Sequence, residues 1–337
     1  MQLNKIYKKI LITGGTGSFG NAVVKKFLKI KNVREIRIFS RDELKQDQMR
    51  KFYNSSKLKF IIGDVRDKGA LNNVTKDINL VFHAAALKQV PSCEFFPEEA
   101  IKTNIIGSKN LIDTSVSNKV NKIILLSTDK SVEPINAMGM SKALMEKLAI
   151  SYSKKFSQNL STICCVRYGN VLSSRGSVIP LFLDQIKSNK PITITHKDMT
   201  RFLLFLDDAI DLVIYAANKA QNGDILVKKA PAAKILDVAK TIYKLLNKKS
   251  NIKFIGIRHG EKTHETLISK TEMINTIDKG KFYRIPVDTR DLNYKSYFQE
   301  GKKSSNFLTE YNSSQNNINA EKIKIILKKL LKKNDSN

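Results

Sequence analysis

The stretch KILITGGTGSFG, residues 9–20, decides the fold. An apolar run from Lys9 to Thr13 enters a turn in which Gly14, Gly17 and Gly20 stand three apart, and a helical pattern follows at once. Glycine at such positions lets the backbone turn tightly, approach a pyrophosphate and pack helix on strand. The helix N-terminus adds unpaired N–H groups and the positive end of its dipole. A glycine triplet alone is a weak signal; in strand-turn-helix order at the head of a sheet it predicts dinucleotide binding.

Working outward, further apolar runs recur as REIRIF (34–39), KLKFII (57–62), INLVFHAA (78–85), KIILLS (122–127) and STICCVRY (161–168), with helix-length segments at 18–30, 94–118 and 138–157. That alternation specifies parallel strands joined by crossover helices. The expected fold class is α/β, a Rossmann-type doubly wound parallel sheet with a smaller C-terminal substrate-binding lobe. Residues 1–170 would form the dinucleotide-binding domain and 171–337 the lobe and a terminal helix, with 203–229 returning to the first domain as a helix (206–220) and a strand (223–229). In the tail, Ile323, Ile326, Leu327, Leu330 and Leu331 share one helical face, which predicts a packed helix. The Asn/Ser-rich stretch 304–318 reads as a flexible segment.

Composition narrows the class. Lys+Arg 59 against Asp+Glu 31 gives a net charge of +28, but the basic residues are mostly lysines spread along the chain. Without a clustered, aromatic-interleaved basic patch, no nucleic-acid partner is expected. The first apolar run begins at Ile10 and breaks at glycine, too short for a signal peptide or a membrane span, so a cytoplasmic protein is expected. Cys93, Cys164 and Cys165 are odd in number and lack metal-knuckle spacing, and adjacent cysteines are poorly placed to bond to each other. His259 and His264, with Glu261 and Glu265, do not have the HExxH spacing, so no metal is expected.

Where an acidic residue would hold the ribose of NAD, the second strand ends in Ser40 and Arg41. A guanidinium there favours the 2′-phosphate of NADP, while Asp42 keeps NAD open. Asp64 in GDVRD follows the third strand and is a candidate acceptor for the adenine amine, or a plain loop cap.

The glycine loop, GDVRD, HAAA (83–86), STDK (127–130) and a helix ending its motif in Lys142 together resemble the extended short-chain dehydrogenases that modify nucleotide sugars. Within that group HAAALKQVPSCE (83–94), TNIIGSKNL (103–111), STDKSVEPINAMGMSK (127–142), RYGNVLSSRGSVIP (167–180), MTRF (199–202) and GIRHGEKTHE (256–265) look like the UDP-N-acetylglucosamine 4,6-dehydratases of surface-polysaccharide pathways such as capsule and O-antigen. One position departs from the group. The YxxxK tyrosine, its usual acid/base, is Met138 here, as in the subgroup that inverts carbon 5.

The resemblance implies hydride removal from carbon 4 of the hexose, loss of water across carbons 5 and 6, return of the hydride to carbon 6 and reprotonation of carbon 5 from the opposite face. Epimerisation at carbon 3 stays open. Asp129 would protonate the departing hydroxyl and Lys130 take the carbon 5 proton, which needs a pocket that raises the acid's pKa and depresses the ammonium's. Thr128 would bond the carbon 4 oxygen and Lys142 the nicotinamide ribose. The remaining cofactor contacts would be Thr16, Ser18, Phe19, Val65, Ala84, Ala85, Ala86, Lys88 and Asn104, the last through ordering the active-site helix. Substrate contacts would be Lys88, Glu94, Asn170, Val178, Arg201, Arg258 and Glu261, the arginines as forks for the pyrophosphate. A homo-oligomer, dimer to hexamer, follows from the same analogy. A UDP-hexose 4-epimerase is the main alternative, and a cofactor-sensing or RNA-binding protein the alternative from another class.

Overall fold

Strand β1 (Lys9–Thr13) is flanked on both sides by parallel neighbours, β2 (Glu35–Ser40) and β4 (Leu80–His83). The computed structural model describes residues 3–156, 160–172, 177–288 and 309–334. Among these, the main sheet has nine strands. Their order is β13 (Ile277–Asp278), β14 (Phe282–Ile285), β9 (Ile225–Lys228), β6 (Thr162–Arg167), β5 (Lys122–Leu126), β4, β1, β2 and β3 (Leu58–Ile62). All neighbours from β9 to β3 run parallel, as expected; β14 and β13 are antiparallel.

Helices cover both faces because the buried strands are apolar on both. Helices α3 (Lys68–Thr75), α6 (Gly107–Ser117) and α7 (Ala137–Lys155) press Leu71, Leu111 and Met145 onto a face that includes Leu11, Val81, Ile123 and Cys165. On the other face α1 (Ser18–Leu28), α2 (Glu43–Tyr53) and α9 (Leu206–Lys219) bring Phe27, Met49 and Val213 against Ile10, Phe82, Ile124 and Cys164. Cys164 and Cys165 thus point to opposite sides of β6, which rules out a bond between them.

The segment 94–118 is not one helix. It divides into α4 (Val90–Phe95), α5 (Pro97–Ala100), a π-helical turn (Ile101–Ile106) and α6. The π turn carries Asn104, whose amide binds both backbone groups of Leu87 (2.8 and 2.9 Å) and Ser141 Oγ (2.9 Å). Wide turns of this kind re-aim a side chain that a regular helix would point elsewhere.

Past residue 170 the chain alternates between the sheet and a second core. α9 and β9 return to the sheet, and so do β13 and β14, which the sequence reading leaves in the lobe. The second core packs α8 (Val178–Lys187), α10 (Ile235–Leu245) and α12 (Ala320–Asn334), with Ile323, Leu327 and Leu330 buried and Ile326 and Leu331 partly so. The expected flexibility of 304–318 fails for its described part. There β15 (Tyr311–Asn312) pairs with β12 (Thr266–Ile268), and the Asn312 side-chain oxygen accepts from Ser314 N, Gln315 N and Ser314 Oγ at 2.9–3.1 Å. Asparagine here builds a turn rather than loosening one. Residues 304–308 lie outside the described residues. Among the described residues, no helix is long and apolar enough to cross a membrane.

Candidate active site

The strand order reverses between β1 and β4, and at such a switch point the loops diverge and leave a crevice beyond the carboxyl ends of the strands. A cleft of about 1710 Å³ opens there. That exceeds the ~300–1,000 Å³ of a single drug-sized site, so it has room for a dinucleotide and a second nucleotide. Gly14 sits at φ +65°, and a Cβ on it would come within 2.8 Å of the Ala85 backbone. A Cβ on Gly20 would strike the Gly15 backbone at 2.5 Å, which is how closely α1 packs over the turn.

Gly14, Thr16, Gly17, Ser18, Phe19 and Gly20 line one wall, Ser40 and Arg41 its end, and Asp64, Val65, Ala84, Ala85, Ala86 and Lys88 the side toward β4. This fits the sequence expectation for a dinucleotide. Two buried side-chain atoms on the cleft wall, Asn170 Oδ1 and Ser177 Oγ, have no hydrogen-bond partner among the described residues and are open to a ligand. Arg41 is exposed, 3.6 Å from Asp64. Asp64 already accepts the Arg66 backbone N–H (2.9 Å) and the Arg66 guanidinium (2.6 and 2.9 Å). Burial pushes its pKa up, but the bonds and charge of Arg66, with Arg41, win and lower it.

β5 leads into the turn expected to hold the acid and the base. Beyond it Thr128 starts a 3₁₀ turn, Asp129–Ser131. Asp129 is buried; its Oδ1 accepts from Thr128 Oγ1 (2.8 Å) and Lys130 Nζ (3.0 Å), and its Oδ2 is buried with no partner among the described residues. Lys130 Nζ also lies 3.0 Å from Glu265 Oε1. The expected depression of this ammonium is reversed. Burial acts to lower its pKa, but the charges of Asp129 and Glu265 outweigh burial and the opposing Arg201, and raise it to about 12.

α7 closes the site. Its N-terminus is capped by Asn136, which accepts from Gly139 N (2.8 Å), and by Glu94, which accepts from Ala137 N (2.6 Å). A side chain at Gly139 would meet the Lys130 carbonyl oxygen at 2.2 Å, so glycine lets the helix bring Met138 and Lys142 against the turn. Met138 lines the cleft while packing with Cys93 and Ala100. Lys142 lines it too, and burial, partly offset by Cys165 and Glu146, brings its ammonium down to about 8.

Six expected contacts lie off the cleft wall. Asn104 is fully buried and acts through Leu87 and Ser141. Glu94 is occupied by the α7 cap and His259 (3.1 Å), so it braces the site instead of meeting a sugar. Val178 is half-buried at the start of α8, next to the cleft-lining Ser177. Arg201, on β8 (Thr200–Phe202), spends its donors on the carbonyls of Thr200 (2.7 Å), Lys262 (2.9 Å) and Thr263 (3.2 Å), with Glu261 at 3.5 Å. Arg258 is exposed outside the cleft, its N–H on Glu261. The segment 256–265 is therefore a strap behind the Asp129–Ser131 turn, pinned also by Asn136 to Gly260 O (2.8 Å) and Lys262 to Val132 O (2.7 Å). Arg201 and Arg258, expected at a pyrophosphate, and Glu261, expected at the substrate, thus lie off the cleft wall in this structure.

Sequence reasoning missed Glu265, weighed only as a metal ligand, and Asn136, whose place before a helix is itself a cap signal. It also missed Tyr168, which lines the cleft and stacks on Phe19 at 5.8 Å. Among the described residues no cluster of His, Cys, Asp and Glu is suited to a metal ion.

The chain is similar in sequence and fold to known proteins. The family described as polysaccharide biosynthesis protein matches residues 10–287, and its C-terminal counterpart matches 288–333. A protein named UDP-glucose 4-epimerase from Rickettsia bellii is 55% identical over 324 residues, covering 95% of both chains. The X-ray structure of Pen from Bacillus thuringiensis superposes with a TM-score of 0.87 at 32% identity, covering 96% of this chain and 98% of that one. A dTDP-glucose 4,6-dehydratase from Streptomyces venezuelae shares the fold at a TM-score of 0.69 and 18% identity, covering 76% and 86%. By the family match along nearly its whole length, the chain belongs to the polysaccharide biosynthesis protein family.

Proposed function

We propose that the chain is a UDP-N-acetylglucosamine 4,6-dehydratase that inverts carbon 5 and prefers NADP to NAD. One observation carries the reading: Asp129 and Lys130, in 3.0 Å contact, stand side by side on the cleft wall at the end of β5, beside Thr128. Elimination of water needs an acid at the leaving hydroxyl and a base at the neighbouring carbon, and this pair can supply both. When bound, the nicotinamide would accept the carbon 4 hydride and give it back at carbon 6.

Passing one proton from Lys130 Nζ to Asp129 leaves a neutral carboxylic acid beside a free amine, which is the form able to act. Asp129 would then donate to the carbon 6 oxygen and Lys130 take the carbon 5 proton. Thr128 Oγ1 would hold the carbon 4 oxygen. Lys142, which lines the cleft, would hold the nicotinamide ribose. Met138 moves no proton, so removal of the carbon 4 hydroxyl proton would fall to a water relayed through Thr128, or to Lys130 only if it hands that proton on to solvent before it takes the one at carbon 5.

The second reading, UDP-hexose 4-epimerase, is favoured by the name of the Rickettsia relative. It would leave the Asp129–Lys130 pair without a task, since that reaction moves a proton only at the carbon 4 oxygen. Incubation with UDP-N-acetylglucosamine and mass spectrometry separates the two: loss of one water supports the dehydratase, and an unchanged mass with a changed sugar rejects it for the epimerase. Proton NMR of the product in deuterated water then reports carbon 5 configuration and any exchange at carbon 3.

A further inference from the structure

If Lys130 is the base at carbon 5, it becomes positively charged as it reacts, so the groups facing its amine bear directly on the barrier. Three charged groups do so. Asp129 Oδ1 is 3.0 Å away on the same turn, and Glu265 Oε1 is 3.0 Å away on the strap. Arg201 on β8 reaches the same Glu265 oxygen with Nε at 3.8 Å. Glu146 belongs to the next layer, bonded to Ser131 and Arg167.

The two carboxylates are not equivalent. Asp129 lines the cleft, whereas Glu265 does not and is only 2% exposed. Its backbone N–H is held by Ser313 Oγ (2.9 Å), and its Oε2 is buried with no hydrogen-bond partner among the described residues. It can act on substrate only through Lys130.

We propose that Glu265 is the positioning residue for Lys130: it holds the amine toward Asp129 from behind and stabilises the ammonium that forms when Lys130 takes a proton. The proposal rests on Lys130 being the base of the reaction proposed above. A fixed carboxylate behind an amine sets its direction and raises its basicity, as buried carboxylates orient catalytic bases. The proton balance is internal. With Asp129 and Glu265 ionised and Lys130 protonated, neither acid nor base is armed; when the N–H bond of Lys130 breaks and an O–H bond forms on Asp129, both are. Elimination restores the first form, and Glu265 keeps the amine directed at Asp129 in both.

Competitive labelling with acetic anhydride across a pH range, read by peptide mass spectrometry, measures the basicity of Lys130 without any turnover. In the wild-type protein Lys130 should label as a stronger base than an exposed lysine such as Lys51. In Glu265→Gln its titration should fall by more than about one pH unit, and in Glu265→Asp it should stay near wild type. With UDP-N-acetylglucosamine, Glu265→Gln should lower kcat at unchanged KM and move the acid limb of the kcat profile down, and Glu265→Asp should restore that limb. An identical Lys130 titration in wild type and Glu265→Gln overturns the proposal. So does a wild-type Lys130 that labels like Lys51, a result that stands even if the variants fail to fold. If labelling shifts as expected but the sugar nucleotide is not turned over, the dehydratase reading fails and the control of Lys130 by Glu265 stands.

Discussion

Nη2 of Arg167 donates to Oε2 of Glu146 across 2.6 Å while Nε donates to Oε1 across 2.8 Å, and the same Oε1 receives the hydroxyl of Ser131 at 2.9 Å. This buried pair is the floor under the acid-base turn. Removing one member of such a pair strands the other's charge, although Glu272 also binds Arg167 at 2.8 Å and softens the loss. Glu146→Ala should cost about 3 kcal/mol in urea unfolding and lower turnover as Ser131 loses its acceptor. Full stability in that variant would show the pair to be idle.

Arg41 is exposed at the end of the cleft, tied only loosely to Asp64. Arg41→Ala should weaken NADP binding about tenfold or more in calorimetry and change NAD binding little. Equal losses for both cofactors would remove the case for a 2′-phosphate contact.

His83 is buried, with Thr13 Oγ1 at 2.7 Å and Ser108 Oγ at 2.9 Å on its two ring nitrogens. Burial, helped by the Lys142 charge, lowers its pKa to about 3. The unfolded chain takes the proton near pH 6.5 and the folded one does not. Its contribution to stability is therefore complete above about pH 6.5 and is lost as the pH falls toward about 3. His83→Asn should lower stability at pH 7.5 but flatten its decline on acidification between these limits; parallel curves for the two proteins would count against this.

Met138 packs in a small apolar cluster and moves no proton, so Met138→Leu should keep turnover within a few-fold and cost less than about 1.5 kcal/mol. Met138→Tyr adds bulk there and should cost about 1–3 kcal/mol without speeding sugar oxidation. A large gain in rate with tyrosine would reveal a missing base.

The doubly wound sheet is legible in residues 9–20 and 122–126 because a strand buried on both faces has to be an apolar run, and a phosphate turn needs glycine. That Thr128, Asp129, Lys130 and Lys142 share one cleft is legible through STDK and the spacing to Lys142. Glu265 is not, since its meaning comes from Lys130, far upstream and joined to it only by the fold. The place of Arg201 off the cleft wall is hidden for a related reason: the backbone carbonyls of Thr200, Lys262 and Thr263 that take up its donors are brought to it only by the fold. β13 and β14 are too short to carry a pattern of their own and exist as strands through pairing on β9.

The antiparallel edge has a consequence for biosynthesis. Because β14 comes from Phe282–Ile285, the flank of β9 stays bare until most of the polypeptide has left the ribosome. Unpaired strand edges invite association with other chains, so slow translation or a premature stop before this point leaves a product prone to aggregate even though the glycine turn has already been made.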